Sequence, residues 1–285
     1  MSHIIGSIIT DCADDNARAR QELRFASLFG VRPAFHGVTS AAPDIEAAGN
    51  LLDQLQVLND LPKSHEAVQP VMLLNVAPRG EAVKKQWPNG TPFCYVKIGN
   101  VLVVSTYAGR GLSLAKKHGL MDEVQVMDIP TVTAAAVGWG ELTAEEAERI
   151  NTTQFRSLEF LPLAAYWLSQ GRDVPARTTA LEQHDVEGKV WAIDNFGNIK
   201  TTWTADELGF DDGKEFILAD GQKVVCHHRL ADVPADMSAL TLGSSGYGKD
   251  RFVELVVQWK DGGFYGSNTA ADRHTFIVGD NILKP

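Results

Sequence analysis

The chain opens on a β-branched, apolar run from Ile4 to Thr10 that ends in Asp11. Asp14, Asp15 and Asn16 then precede a helical repeat in which Leu23, Ala26 and Phe29 share a face, with Gly30 as its stop. Pro43-Asp44 opens a second helix whose apolar stripe is Ala47, Ala48, Leu51, Leu52 and Leu55. Pro70–Val76 is patterned as a buried strand, and Phe93–Ile98 and Val101–Ser105 as two strands turning at Gly99-Asn100. A short helix over Leu112–His118 stops at Gly119, and Val124–Met127 is a further strand. Thr143-Ala-Glu-Glu146 is a capping box, and Phe155–Leu168 has the last long helical repeat. Strands alternating with helices to this point predict an α/β layer sandwich over residues 1–170. Residues 171–187 are polar and aperiodic, with Pro175, and form the expected linker. Over 188–285 the pattern changes to short strands with turns at Asp211-Asp212-Gly213 and Asp220-Gly221, predicting a smaller, barrel-like β domain.

Bulk composition narrows the function. The 285 residues are 44% hydrophobic and 22% charged, ordinary values for a soluble globular protein. A net charge of −10 argues against a general binder of nucleic acid or anionic membrane. No apolar run reaches the roughly 20 residues of a membrane helix, and the first residues lack the basic segment of a secretory signal. Cys12, Cys94 and Cys226 are few, odd in number and widely spaced, which fits reduced thiols in a cytoplasm. His227 and His228 are adjacent and would face opposite sides of a strand, so no metal site is expected. Gly109-x-Gly111 is too short for a dinucleotide fingerprint.

Candidate chemistry concentrates in Gly188–Trp203, where two strand-like runs flank Asn195-Phe196-Gly197-Asn198. Asn198 can read a purine edge, Phe196 can cover its face, and Asp194 can bind an amine or hydroxyl; the same letters equally make a plain hairpin turn. Asp11, at a strand end just before a helix, is where open α/β sheets place ligand-binding groups.

Ile193-Asp-x-Phe-Gly-Asn-x-x-Thr201 followed by Ser244-x-Gly-Tyr247 resembles the C-terminal domain of the S-adenosylmethionine (SAM) hydroxide adenosyltransferase family, which includes the SAM-dependent fluorinases and chlorinases. The resemblance implies that Asp11 binds the ribose hydroxyls, and that Phe196 and Asn198 hold adenine. It assigns Asp194 and Ser244 to the methionine amine and carboxylate, and Asn268 with Ala270 to a closing adenine contact beyond an insertion at 260–267. SAM is then the substrate, with no further cofactor, in a homotrimer with sites between subunits. The family hydrolases handle water with an Asp, an Arg and a His. Here Ala77 stands at the Asp position and Phe155 at the His position, and the Arg position falls near Lys84 or Lys85. Arg79 and Lys84 are the cations that could orient a water or anion in place of the triad. Phe155 also replaces the halogenases' halide-binding Ser. The reading is therefore C5′–S cleavage of SAM, with water as acceptor, giving adenosine and L-methionine. The alternatives are a non-catalytic SAM or adenosine binder and cleavage by another nucleophile.

Overall fold

The computed structural model describes residues 3–60, 68–78, 81–87, 90–259 and 268–284, with the side chains of 82–84 excepted. Arg79 and the insertion 260–267 lie outside the described residues. The strands are β1 His3–Thr10, β2 Ala34–Gly37, β3 Val68–Asn75, β4 Phe93–Ile98, β5 Val101–Thr106, β6 Glu123–Met127, β7 Arg177–Ala180, β8 Val190–Ile193, β9 Ile199–Thr204, β10 Glu215–Ile217, β11 Lys223–His227, β12 Ser238–Tyr247 and β13 Asp250–Val257. The helices are α1 Asp15–Phe29, α2 Pro43–Asn59, α3 Glu81–Gln86, α4 Ser113–Lys117, α5 Ile129–Gly138, α6 Ala144–Thr152, α7 Arg156–Glu159, α8 Leu161–Ser169, α9 Ala205–Leu208 and α10 Ala270–Arg273. The fold is mixed α/β with two mixed sheets. Its contacts divide into unit 1, Met1–Thr39 with Val57–His184, and unit 2, Ser40–Gln56 with Asp185–Pro285. No helix among the described residues is long and apolar enough to cross a membrane.

Unit 1 is built on a seven-stranded sheet in the order β2-β1-β3-β5-β4-β6-β7. The first four strands are parallel, whereas β4, β6 and β7 each pair antiparallel to their neighbour. Buried parallel strands need no polar face, so β1 hides Ser7, Ile8, Ile9 and Thr10 in succession and β5 is buried throughout. Ile8, Val71, Leu73 and Val104 of the sheet meet Phe25, Val132, Ile150, Leu161 and Trp167 of the helices in one apolar cluster.

Local departures from expectation have physical causes. The buried face of α1 is Ala17, Gln21 and Phe25, while Leu23 is 71% exposed. Gln21 is tolerated inside because its amide donates to the carbonyls of Cys12 (2.9 Å) and Ala17 (3.2 Å). The single helix predicted over 155–168 is two, α7 and α8, broken at Phe160; Pro162 has no N–H to continue a helix and suits the first turn of a new one. Helix α5 is an addition to the predicted elements, although Asp128 caps it by accepting from Thr131 N at 3.1 Å and Pro130 lies in its first turn. Within 171–187, Arg177–Ala180 is a strand paired with β6.

Unit 2 is built on a six-stranded sheet in the order β10-β11-β12-β13-β9-β8. The β11–β12 pairing is parallel and the other ladders are antiparallel. Single bridges join Asn281 to Lys189, next to β8, and Leu283 to Leu218, next to β10. Val190, Ile199, Leu218, Leu240, Val253 and Leu255 centre its core. Gly49 of α2 lies so close to Trp191 that a Cβ there would fall 2.1 Å from the indole.

Candidate functional site

The strand order of unit 1 contains a topological switch. From the carboxyl end of β1 the chain crosses to β2 on one side, and from that of β3 it proceeds toward β4 on the other. Between such neighbours no connection covers the strand ends, which leaves a crevice for a ligand. Asp11 follows β1 at this point, its N–H bonded to Asn75 O at 3.2 Å. Thr10, fully buried, accepts through Oγ1 from Cys12 N (3.1 Å) and from Asn75 Nδ2 (3.3 Å). The Cys12 thiol leans on Asp11 Oδ1 at 3.7 Å. Thr106, at the end of β5, donates to Val76 O at 2.8 Å and continues the polar edge. Asp14 caps α1 by accepting from Asn16 N (3.1 Å) and Ala17 N (3.0 Å), so the helix does not need Asp11 for that purpose. Thr10 and Asn75 are additions to the candidates read from sequence; a polar residue closing an apolar strand run, beside a second such strand, is the signal that points to them.

Ala77 follows β3 and Phe155 sits at the N-cap of α7, with Arg20 stacked 5.1 Å from the Phe155 ring centre. Neither residue has a group able to take a proton. Beside Phe155, Arg156 donates to Thr91 O (3.1 Å) and Gly90 O (3.4 Å), and burial lowers its pKa. Lys84 belongs to α3.

In unit 2 the predicted hairpin is present, with Ile193 opposite Ile199 and Ala192 opposite Lys200. Asp194 builds its turn: Oδ1 accepts from Phe196 N (2.9 Å) and Asn198 N (3.0 Å), and Oδ2 from Asn198 Nδ2 (3.1 Å). Much of the carboxylate's bonding capacity is therefore used locally, while Phe196 stands 46% exposed at the tip. Gly197 has φ +74° and touches Thr269, where a Cβ would fall 2.3 Å from its hydroxyl, so only glycine fits. Its carbonyl accepts from Ala271 N at 3.0 Å. That contact brings Asp194, Phe196 and Asn198 beside Ala270 and the capping box of α10.

Asn268 joins the same neighbourhood, but its carboxamide is engaged at both ends. Nδ2 donates to Asp236 at 2.7 Å and Oδ1 accepts from Arg273 at 2.6 Å. Ser244 lies on the irregular stretch of β12 between Leu242 and Gly246, exposed, its carbonyl accepting from Arg251 at 3.1 Å. Its neighbour Ser245 is buried and accepts from Lys200 Nζ at 3.2 Å, while Lys200 also pairs with the buried Glu254 at 2.8 Å. Among the described residues no group of three or more His, Cys, Asp and Glu side chains is placed to hold a metal ion.

No known protein-family profile matches the sequence, and no curated protein matches it significantly. Solved structures do match. An uncharacterized conserved protein from Thermotoga maritima aligns over 98% of this chain and 100% of its own, with TM-score 0.62 and 15% identity. A conserved hypothetical protein from Thermus thermophilus aligns over 90% of this chain and 92% of its own, with TM-score 0.53 and 18% identity. At those identities the likeness is one of fold.

Proposed function

We propose that this chain binds S-adenosylmethionine and cleaves its C5′–S bond, water taking the adenosyl group to give adenosine and L-methionine. The observation that supports this best is the place of Asp11 at the switch between β1 and β3, seated by Asn75 and adjoining the buried Thr10. A carboxylate there can accept both hydroxyls of a ribose. Phe196, exposed on a turn made rigid by Asp194 and Asn198, offers a ring face to a purine. On this reading unit 1 is a layer sandwich and unit 2 barrel-like, the single bridges from Asn281 and Leu283 tying its two edges together.

The chemistry asks little of the protein beyond binding. A sulfonium sulfur leaves as a neutral thioether, so no general acid is required. The nucleophile, C5′ and sulfur must be held in line with competing water excluded. A water acceptor additionally needs a base or a cation to favour hydroxide.

A second reading is favoured by Ala77 and Phe155, which place no proton acceptor at either position: a protein that binds the adenosyl ligand without turnover. Incubation with SAM, with and without halide, followed by chromatography with mass detection, separates the two. Adenosine plus methionine supports the hydrolase. Intact SAM with calorimetric binding supports the binder. Asp11→Asn is expected to weaken SAM binding at least tenfold, equivalent to about 1.4 kcal/mol. Unchanged affinity in that variant refutes the assignment of Asp11.

A further inference from the structure

Away from the strand ends of unit 1 and the Asp194–Asn198 turn, unit 2 places a serine, a histidine and a carboxylate in one hydrogen-bonded series. His274 closes α10 and is 1% exposed. Its Nδ1 lies 2.6 Å from Asp220 Oδ2 and its Nε2 lies 3.0 Å from Ser238 Oγ. Asp220 sits in the turn joining β10 to β11, and Ser238 begins β12, which runs parallel to β11 with Ala239 opposite Val225. Three separate stretches of chain thus converge on one imidazole.

The series has a direction. The Asp220 carboxylate is held by the backbone N–H (2.9 Å) and side-chain amide (3.3 Å) of Gln222. A carboxylate can only accept, so Nδ1 of His274 bears the proton. With the imidazole neutral, Nε2 is the acceptor and the Ser238 hydroxyl donates to it. Phe276 stacks on the ring at 6.0 Å with 10° between planes, which fixes its tilt. Serine to imidazole nitrogen, opposite nitrogen to oriented carboxylate, is the arrangement that turns a hydroxyl into a nucleophile, on whatever fold it occurs.

Burial selects the substrate. Ser238 is partly exposed, whereas the imidazole side chain is wholly covered. His274 can therefore receive the serine proton along the bond already present, but it cannot turn outward to protonate a departing group. The leaving group must depart as a stable anion, as the thiolate of a thioester does. Met237, 52% exposed beside Ser238, supplies apolar surface for the acyl part.

We propose that Ser238 accepts an acyl group from a thioester. Oγ bonds to the acyl carbon and the C–S bond breaks. The hydroxyl proton passes to His274 Nε2 and stays on the imidazole, whose charge the Asp220 carboxylate balances, and the thiolate leaves and takes up a proton from water. Ser238 and His274 are the catalytic residues, and Asp220 positions the imidazole.

The test uses the full chain with the acetyl thioester of N-acetylcysteamine, following thiol release and the intact mass, and mapping the acetylated residue by peptide mass spectrometry. The expected result is a stoichiometric burst, with acetyl on Ser238 and no burst in Ser238→Ala. Asp220→Asn should slow acetylation on the order of a hundredfold or more and alter the pH profile of the burst, which a merely structural hydrogen bond would not do. Melting curves check that each variant folds. Gln222→Ala, which frees one side of Asp220, serves if Asp220→Asn does not fold, and is expected to slow the burst severalfold. Absence of acetylation in the wild type, or acetylation elsewhere that persists in Ser238→Ala, overturns the proposal.

Discussion

Two side-chain pairs in unit 2 illustrate how much one residue decides. Lys200 and Glu254 meet at 2.8 Å with side chains only 15% and 8% exposed, and the Lys200 ammonium lies 6.0 Å from the Trp191 ring centre. Removing one member of a buried pair strands the other charge and typically costs about 3–5 kcal/mol, whereas replacing both with apolar groups of similar volume is often neutral. Lys200→Met is accordingly expected to lower stability by about that amount, and Lys200→Met with Glu254→Leu to recover most of it; denaturant midpoints of the two variants test this directly. Asp220 responds to pH instead. Burial pushes its carboxyl pKa up, but the bonds from His274 and Gln222 outweigh that and hold it below the ordinary value. A pKa lower in the folded than in the unfolded chain gives stability that is present above the unfolded value, about 3.9, and is lost as pH falls through the folded one. Asp220→Asn should therefore be less stable near neutrality yet flatter in its melting temperature below about pH 4. An acid limb identical to the wild type would show that Asp220 makes no such contribution.

Elements are held to one another by equally specific contacts. Gly6 of β1 leaves room for Phe25 of α1: a Cβ at Gly6 would fall 2.3 Å from the ring, and Phe25 is fully buried. Gly6→Ala must push the ring, and with it the helix, out of a filled core, at a cost of about 1–3 kcal/mol for such overpacking. A melting temperature equal to the wild type would mean that α1 repacks freely. Signals that act over a few neighbouring residues are legible in the sequence. The Thr143–Glu146 capping box, the turn at Gly99-Asn100, the buried stripe of α2 and the hairpin about Asn195–Asn198 all stand where sequence spacing puts them. Signals that depend on a distant partner are not. The buried Gln21 is polar by its letter and apolar by its situation, because backbone carbonyls satisfy it. Asn75 becomes part of the Asp11 neighbourhood only through the β1–β3 pairing. Asp220, Ser238 and His274 lie 18 and 36 residues apart along the chain and meet only once β11 and β12 align.

For the molecule as a whole, the telling feature is that unit 2 is discontinuous. Sequence character changes after residue 187, yet residues 40–56, early in the chain, belong with 185–285 by their contacts. Amphipathicity announces that a helix has a face to bury and says nothing of which surface will cover it. Within unit 2, Gly49 abuts the Trp191 ring, Gly279 abuts Ala42, and Asp53 accepts from Gly246 N at 3.0 Å. The helix also has Ile45, Leu51, Leu52 and Leu55 buried, each such side chain contributing about 1.5–3 kcal/mol. A fragment of 185–285 alone would leave the Trp191 surface uncovered, together with the Gly246 amide that Asp53 receives. It is expected to give a poorly dispersed amide spectrum, to bind a hydrophobic dye and to melt without a sharp transition. Adding a synthetic peptide of residues 40–59 should restore dispersion and displace the dye. A fragment that melts cooperatively without the peptide would show that the β strands of unit 2 suffice by themselves, and that α2 rests on a surface already complete.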